Sequence, residues 1–135
     1  MSKKSYTVGQ LAEHTGIKPV TIRYYEKIEL IPQAARSESG YRLYSEADHA
    51  RLLFIRRSRG LGFSLDDIRE LLSLADRQHE SCASVDMKVE QQLEQVRSRL
   101  RDLRAMEREL ERLSACCEGG VIMDCRIIEK LSGGE

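Results

Sequence analysis

The chain has 135 residues, 33% charged and 41% hydrophobic, with a formal net charge of zero. That length allows one or two small domains, and no apolar run approaches the ~18 residues of a membrane span. Net neutrality argues against a broadly basic nucleic-acid binder, but the halves differ: residues 1–70 carry 12 Lys/Arg against 9 Asp/Glu, and residues 71–135 carry 10 against 13.

Met1 to Tyr6 has no apolar stretch after its lysines, so no signal peptide is expected and the chain should stay in the cytoplasm. Thiols are reduced there, and four cysteines are better read as ligands, redox groups or buried apolar residues than as disulfides.

The first helix is signalled by Thr7 with Gln10, the reciprocal pattern of a capping box, and Gly16 ends it. Pro19 suits the first turn of a second helix because its missing N–H needs no partner there. Two short helices across a tight turn form a helix-turn-helix, whose second helix enters the major groove. Lys18, Thr21, Arg23, Tyr24 and Tyr25 are the candidate DNA contacts on it. An ordinary helical hairpin with a solvated polar face would look the same.

Arg36 to Tyr44 alternates basic, aromatic and apolar residues after a Ser-Gly turn, which reads as a short hairpin or wing. Arg36, Tyr41 and Arg42 would grip phosphate there, positioning the protein without reading bases. Ser45 with Asp48 opens a third helix, made basic by Arg51, Arg56, Arg57 and Arg59, unless these form only a solvated face. Ser64 with Asp67 opens a fourth, with Leu65, Ile68, Leu71 and Leu72 as core.

Residues 84–113 lack Gly and Pro and predict one helix roughly 45 Å long at ~1.5 Å per residue. Its apolar residues are Val85, Val89, Leu93, Val96, Leu100, Leu103, Met106, Leu110 and Leu113. From Val89 the spacings alternate between four and three, with one three-residue slip near Leu103, as in a coiled coil with a stammer. Such a stripe on a polar helix predicts a homodimer seam.

Cys82 precedes this helix; Cys116, Cys117 and Cys125 follow it. A straight helix keeps Cys82 and Cys117 of one chain apart, whereas two antiparallel chains bring them together twice. Cys117 and Cys125 enclose a seven-residue loop in which Gly119 and Gly120 permit a reversal. Two thiolates on one loop suit a soft cation; small buried apolar cysteines are the plain alternative. Arg126 to Leu131 reads as a short amphipathic helix.

Thr-Ile-Arg-Tyr-Tyr-Glu at 21–26, Gly-Tyr-Arg-Leu-Tyr at 40–44 and Leu-Gly-Phe-Ser-Leu-Asp-Asp-Ile at 61–68, in this order and spacing, resemble the MerR family of transcriptional regulators. The resemblance extends over the long helix and the cysteine loop. It implies a mainly α fold: a winged helix-turn-helix domain at 1–75, a linker and antiparallel dimerisation helix at 76–115, and a metal-binding loop with a short helix at 116–135. It also implies a dimer on promoter DNA that activates RNA polymerase holoenzyme by distorting the duplex, an indirect-readout mechanism.

In family branches sensing monovalent copper, silver or gold, the position before the dimer helix resembles Ser; in divalent-metal branches it is Cys. Here it is Cys82. Two thiolates satisfy a monovalent ion, whereas a divalent ion takes three or four ligands. The expectation is therefore a divalent thiophilic ion (Zn, Cd, Pb or Hg) held by Cys117, Cys125 and the other subunit's Cys82. Cys116, His79, Glu118 and Asp124 are further candidates. The Cys116-Cys117 pair resembles the zinc branch, which carries a His in the loop that this chain lacks. The loop length resembles the copper branch; Cys82 is given more weight because ligand number is chemistry while loop length tolerates change.

A thiol redox or electrophile sensor on the same scaffold, or a Cu(I) sensor, is the alternative. No pattern supports an enzyme, since His14, His49 and His79 lie in separate segments. A drug-binding regulator of this family would carry a larger C-terminal domain.

Overall fold

The computed structural model describes residues 5–116, 119–122 and 125–133. It is mainly helical and divides into two units, Met1–Lys88 and Val89–Glu135. In chain order the elements are β1 (Ser5–Tyr6), α1 (Val8–Thr15), α2 (Pro19–Lys27), β2 (Ala35–Arg36), β3 (Arg42–Ser45), α3 (Glu46–Gly60), α4 (Leu65–Ala75), α5 (Ala83–Ala115) and α6 (Arg126–Leu131).

Local chemistry starts the helices of the first unit. Thr7/Gln10, Ser45/Asp48 and Ser64/Asp67 each form the reciprocal capping box, so two otherwise orphaned backbone N–H groups are satisfied at each start. Pro19 stands in the first turn of α2, where Lys18 supplies no side-chain cap. Gly16 closes α1 at φ 74° and donates its N–H to Ala12 O. A Cβ there would meet only the movable end of the Arg56 side chain, so it is the left-handed backbone that calls for glycine.

The sheet has the order β1-β3-β2 and is antiparallel throughout, with Ser5 opposite Ser45, Tyr6 opposite Tyr44, Ala35 opposite Leu43 and Arg36 opposite Arg42. β2 and β3 are the expected wing. β1 has no counterpart in the sequence reading: two residues are too short to show a period, and only pairing with β3 makes them a strand.

The core sits where α1–α4 converge on β3. Leu11, Ile22, Leu52, Ile55 and Ile68 are fully buried, and Tyr44 is 1% exposed. On α2 the inward positions are Ile22, Tyr25 and Glu26, spaced i, i+3, i+4. Val85, read from sequence as part of the seam, is half-buried against this core.

In the second unit, α5 runs on without a break. Its stripe from Val89 to Leu110 stays open, from 37% exposure at Leu93 to 62% at Leu110, whereas Leu113 is buried. Seven aligned apolar side chains in water are unfavourable at ~25 cal/mol per Å², so a covering partner is expected.

Candidate nucleic-acid interface and thiol positions

α2 presents Lys18, Arg23 and Tyr24 to solvent, with Thr21 half-buried. Tyr25, expected from sequence beside Tyr24 on the DNA face, is 9% exposed and belongs to the core. The reason is periodicity: ~100° per residue turns adjacent tyrosines to different sides of the helix, and Tyr25 falls three residues after Ile22.

The wing stands beside α2. Its turn is closed by Ser37 N–H to Tyr41 O at 2.7 Å and Tyr41 N–H to Ser37 Oγ at 3.1 Å. Gly40 provides the left-handed residue at φ 85°. Arg36 donates to Gly40 O at 3.0 Å, which holds its guanidinium over the turn. Tyr41 is 71% exposed at the tip.

Arg23, Arg36, Tyr41 and Arg42 come together around one cleft of 360 Å³, completed by Thr7, Val8 and Gly40. Three arginines and the N-terminus of α1, the positive end of its dipole, make this cleft cationic. A second cleft of 370 Å³ shares Arg23 and Arg42 and adds Glu26, Lys27 and Gln33. Sequence reading missed Thr7, Val8, Lys27 and Gln33; the cap role of Thr7 was visible, but not its neighbours across the fold.

Recognition helix and wing are joined underneath. The Glu26 carboxylate, 5% exposed, accepts from Tyr44 OH at 2.8 Å and from Ala34 N–H at 2.9 Å. Burial and the Glu26 charge push the Tyr44 phenol up to about 12.

Three of the four arginines of α3 donate to backbone carbonyls. Arg51 donates to Leu30 O at 3.3 Å, Arg56 to Thr15 O, and Arg59 to Phe63 O at 3.0 Å. On α4, Arg69 donates to Ile28 O at 2.7 Å. These cations satisfy carbonyls at helix ends and turns, which fixes α1 and α2 against α3 and α4.

Cys82 is exposed, one residue before α5, with Sγ 3.8 Å from Asp86 Oδ2. His79 is exposed in the preceding connection. Cys116 is half-buried just beyond α5, and Cys125, also half-buried, is the N-cap of α6. Cys117, Glu118 and Asp124 lie outside the described residues. At ~1.5 Å per residue a straight helix of the 33 residues of α5 is about 50 Å long. Among the described residues, no three His, Cys, Asp or Glu side chains gather to hold a metal.

Known proteins share the sequence and the fold of this chain. Residues 6–75 match the model of the MerR HTH family regulatory proteins, and residues 49–113 match that of MerR, DNA binding. This chain belongs to the MerR family. It is 43% identical over 132 residues to the HTH-type transcriptional regulator ZntR of Escherichia coli (strain K12), covering 96% of this chain and 94% of the relative. The transcription regulator PbrR691 from Ralstonia metallidurans CH34, solved in complex with lead(II), is 40% identical with a TM-score of 0.81, over 93% of this chain and 98% of that one. MerR from Bacillus megaterium MB1, solved with a mercury(II) ion, is 35% identical with a TM-score of 0.68, over 94% and 99%. As a MerR-family member the chain is a DNA-binding transcriptional regulator, and none of its described helices is long and apolar enough to cross a membrane.

Proposed function

We propose that this MerR-family chain is a metal-responsive transcriptional regulator that switches a resistance or efflux promoter on when a thiophilic divalent ion binds. The ligands are Cys117, Cys125 and Cys82 of the partner subunit, with Cys116 and His79 as candidates for a fourth. The observation that carries the reading is the position of the thiols: Cys82 stands at one end of α5 and Cys116 and Cys125 follow the other. An antiparallel dimer built on the open stripe of α5 joins opposite ends twice. The lead(II) and mercury(II) complexes of two relatives support the ion class.

The donor chemistry fits such an ion. Three thiolates offset the charge of a divalent soft cation and supply the three or four ligands it takes, whereas a monovalent ion is satisfied by two. The bound ion would supply a cross-link between subunits. The chain's own part is to hold DNA: Lys18, Thr21, Arg23 and Tyr24 in the major groove, and Arg36, Tyr41 and Arg42 on phosphates. Movement between the two DNA-binding domains then changes the twist and bend of the promoter, which sets its use by RNA polymerase holoenzyme.

The test is titration of the reduced dimer with Zn, Cd, Pb, Hg and Cu(I) in competition, read against transcription from its promoter. Activation by at least one divalent ion is expected, with Cys82→Ser losing it. A response to Cu(I) alone, or an unchanged response in Cys82→Ser, overturns the ligand assignment.

A further inference from the structure

Lys88 sits on the first turns of α5, yet it belongs to the first unit, which extends to this residue. Its side chain is only 16% exposed, and its ammonium lies 3.3 Å from Asp67 Oδ1 and in contact with Glu70 Oε2. Both carboxylates are on α4, three residues apart, so they project from one face. Lys88 and Val85 are likewise three apart on α5. Val85 packs against the hydrophobic core while Lys88 spans the two carboxylates.

Together these residues hold the start of α5 at two points. An apolar contact such as Val85 is non-directional and tolerates rotation. An ammonium held between two carboxylates is a charge contact on one side of the helix, and rotation of α5 about its own axis would draw it away from both. Asp67 is itself anchored, because it completes the capping box that starts α4 with Ser64.

Cys82 is coupled to the same turn: its carbonyl accepts from Asp86 N–H at 3.0 Å. A force on Cys82 therefore reaches α4 through the first turns of α5. α4 in turn holds the end of α2 through Arg69, which donates to Ile28 O and Glu29 O.

We infer that Lys88 is the positioning residue that transmits metal binding at Cys82 to the DNA-binding domain, by locking the start of α5 to Asp67 and Glu70. This rests on the metal-responsive reading above. Without the lock the ion still binds and the domain still holds DNA, but the two events separate. In thermodynamic terms Lys88 carries coupling rather than affinity.

The experiment uses the full-length dimer and a duplex selected by it from a random library, cloned as a promoter. Wild type, Lys88→Gln, Lys88→Arg and Glu70→Gln are each measured for affinity toward zinc(II), cadmium(II), lead(II) and mercury(II), for DNA affinity, and for metal-induced transcription. Lys88→Gln should keep both affinities within about 2-fold and lose about 10-fold or more in activation ratio. Lys88→Arg should restore most of the ratio, and Glu70→Gln should fall between. Full activation by Lys88→Gln, or parallel loss of metal affinity, DNA affinity and activation, overturns the inference. A wild type silent to all four ions instead overturns the metal reading, and this inference with it.

Discussion

Tyr44 donates a 2.8 Å hydrogen bond to Glu26, and through it β3 of the wing is tied to recognition helix α2. Eighteen residues separate the two in sequence, and both are buried. The pair sets the distance between the side chains offered to bases and those offered to phosphates. Tyr44→Phe leaves a buried carboxylate with one bond fewer, which costs about 1–3 kcal/mol. Urea unfolding should show that loss. DNA binding measured well below the unfolding midpoint should weaken too, because the wing loses its fixed position.

The same bond makes stability depend on alkaline pH. Tyr44 holds its proton more tightly folded than unfolded, its pKa being raised from 10.0 to about 12. The raised value contributes stability that is complete below the unfolded pKa and lost as pH climbs through the folded one. Between pH 10 and 12 wild type should lose stability more steeply than Tyr44→Phe. Parallel denaturation curves for the two proteins over that interval would count against the assignment.

Arg36 and Arg42 line the same cleft as Arg23 and the start of α1. As phosphate contacts present once in each subunit, each Ala substitution should lower the slope of log K against log salt by about 2 for the dimer and weaken all sequences alike. Arg23→Ala, on the helix offered to the major groove, should in addition relax base preference by about 1–3 kcal/mol at the position it reads. Salt titrations on matched and mismatched duplexes separate the two outcomes.

Leu100 lies in the open stripe of α5 at 43% exposure. In a two-fold dimer every substitution occurs twice, so Leu100→Asp removes two apolar contacts and buries two charges. At about 2 kcal/mol each the dimer should weaken on the order of 1,000-fold. Sedimentation should then find a monomer whose first unit keeps its helicity, since Leu100 is outside the core of that unit.

What the sequence determined by itself was local. Thr7 with Gln10, Ser45 with Asp48, and Ser64 with Asp67 reach only three residues, so their capping boxes form wherever the backbone turns, and the helix starts were legible. The periodicity of α5 was legible for the same reason: each apolar residue repeats along one element whatever surrounds it. The wing, too, follows from a turn and an alternation within ten residues. Tertiary structure decided everything that depends on residues brought together from afar. It turned Tyr25 into the core while Tyr24 stayed in water, and it made a strand of Ser5–Tyr6. It gave Arg51, Arg56 and Arg59 carbonyl partners on other segments, and it seated Lys88 between Asp67 and Glu70. A lysine in a helix sequence is identical whether it meets water or two carboxylates; only packing α5 against α4 supplies the partners, and with them the proposed joint.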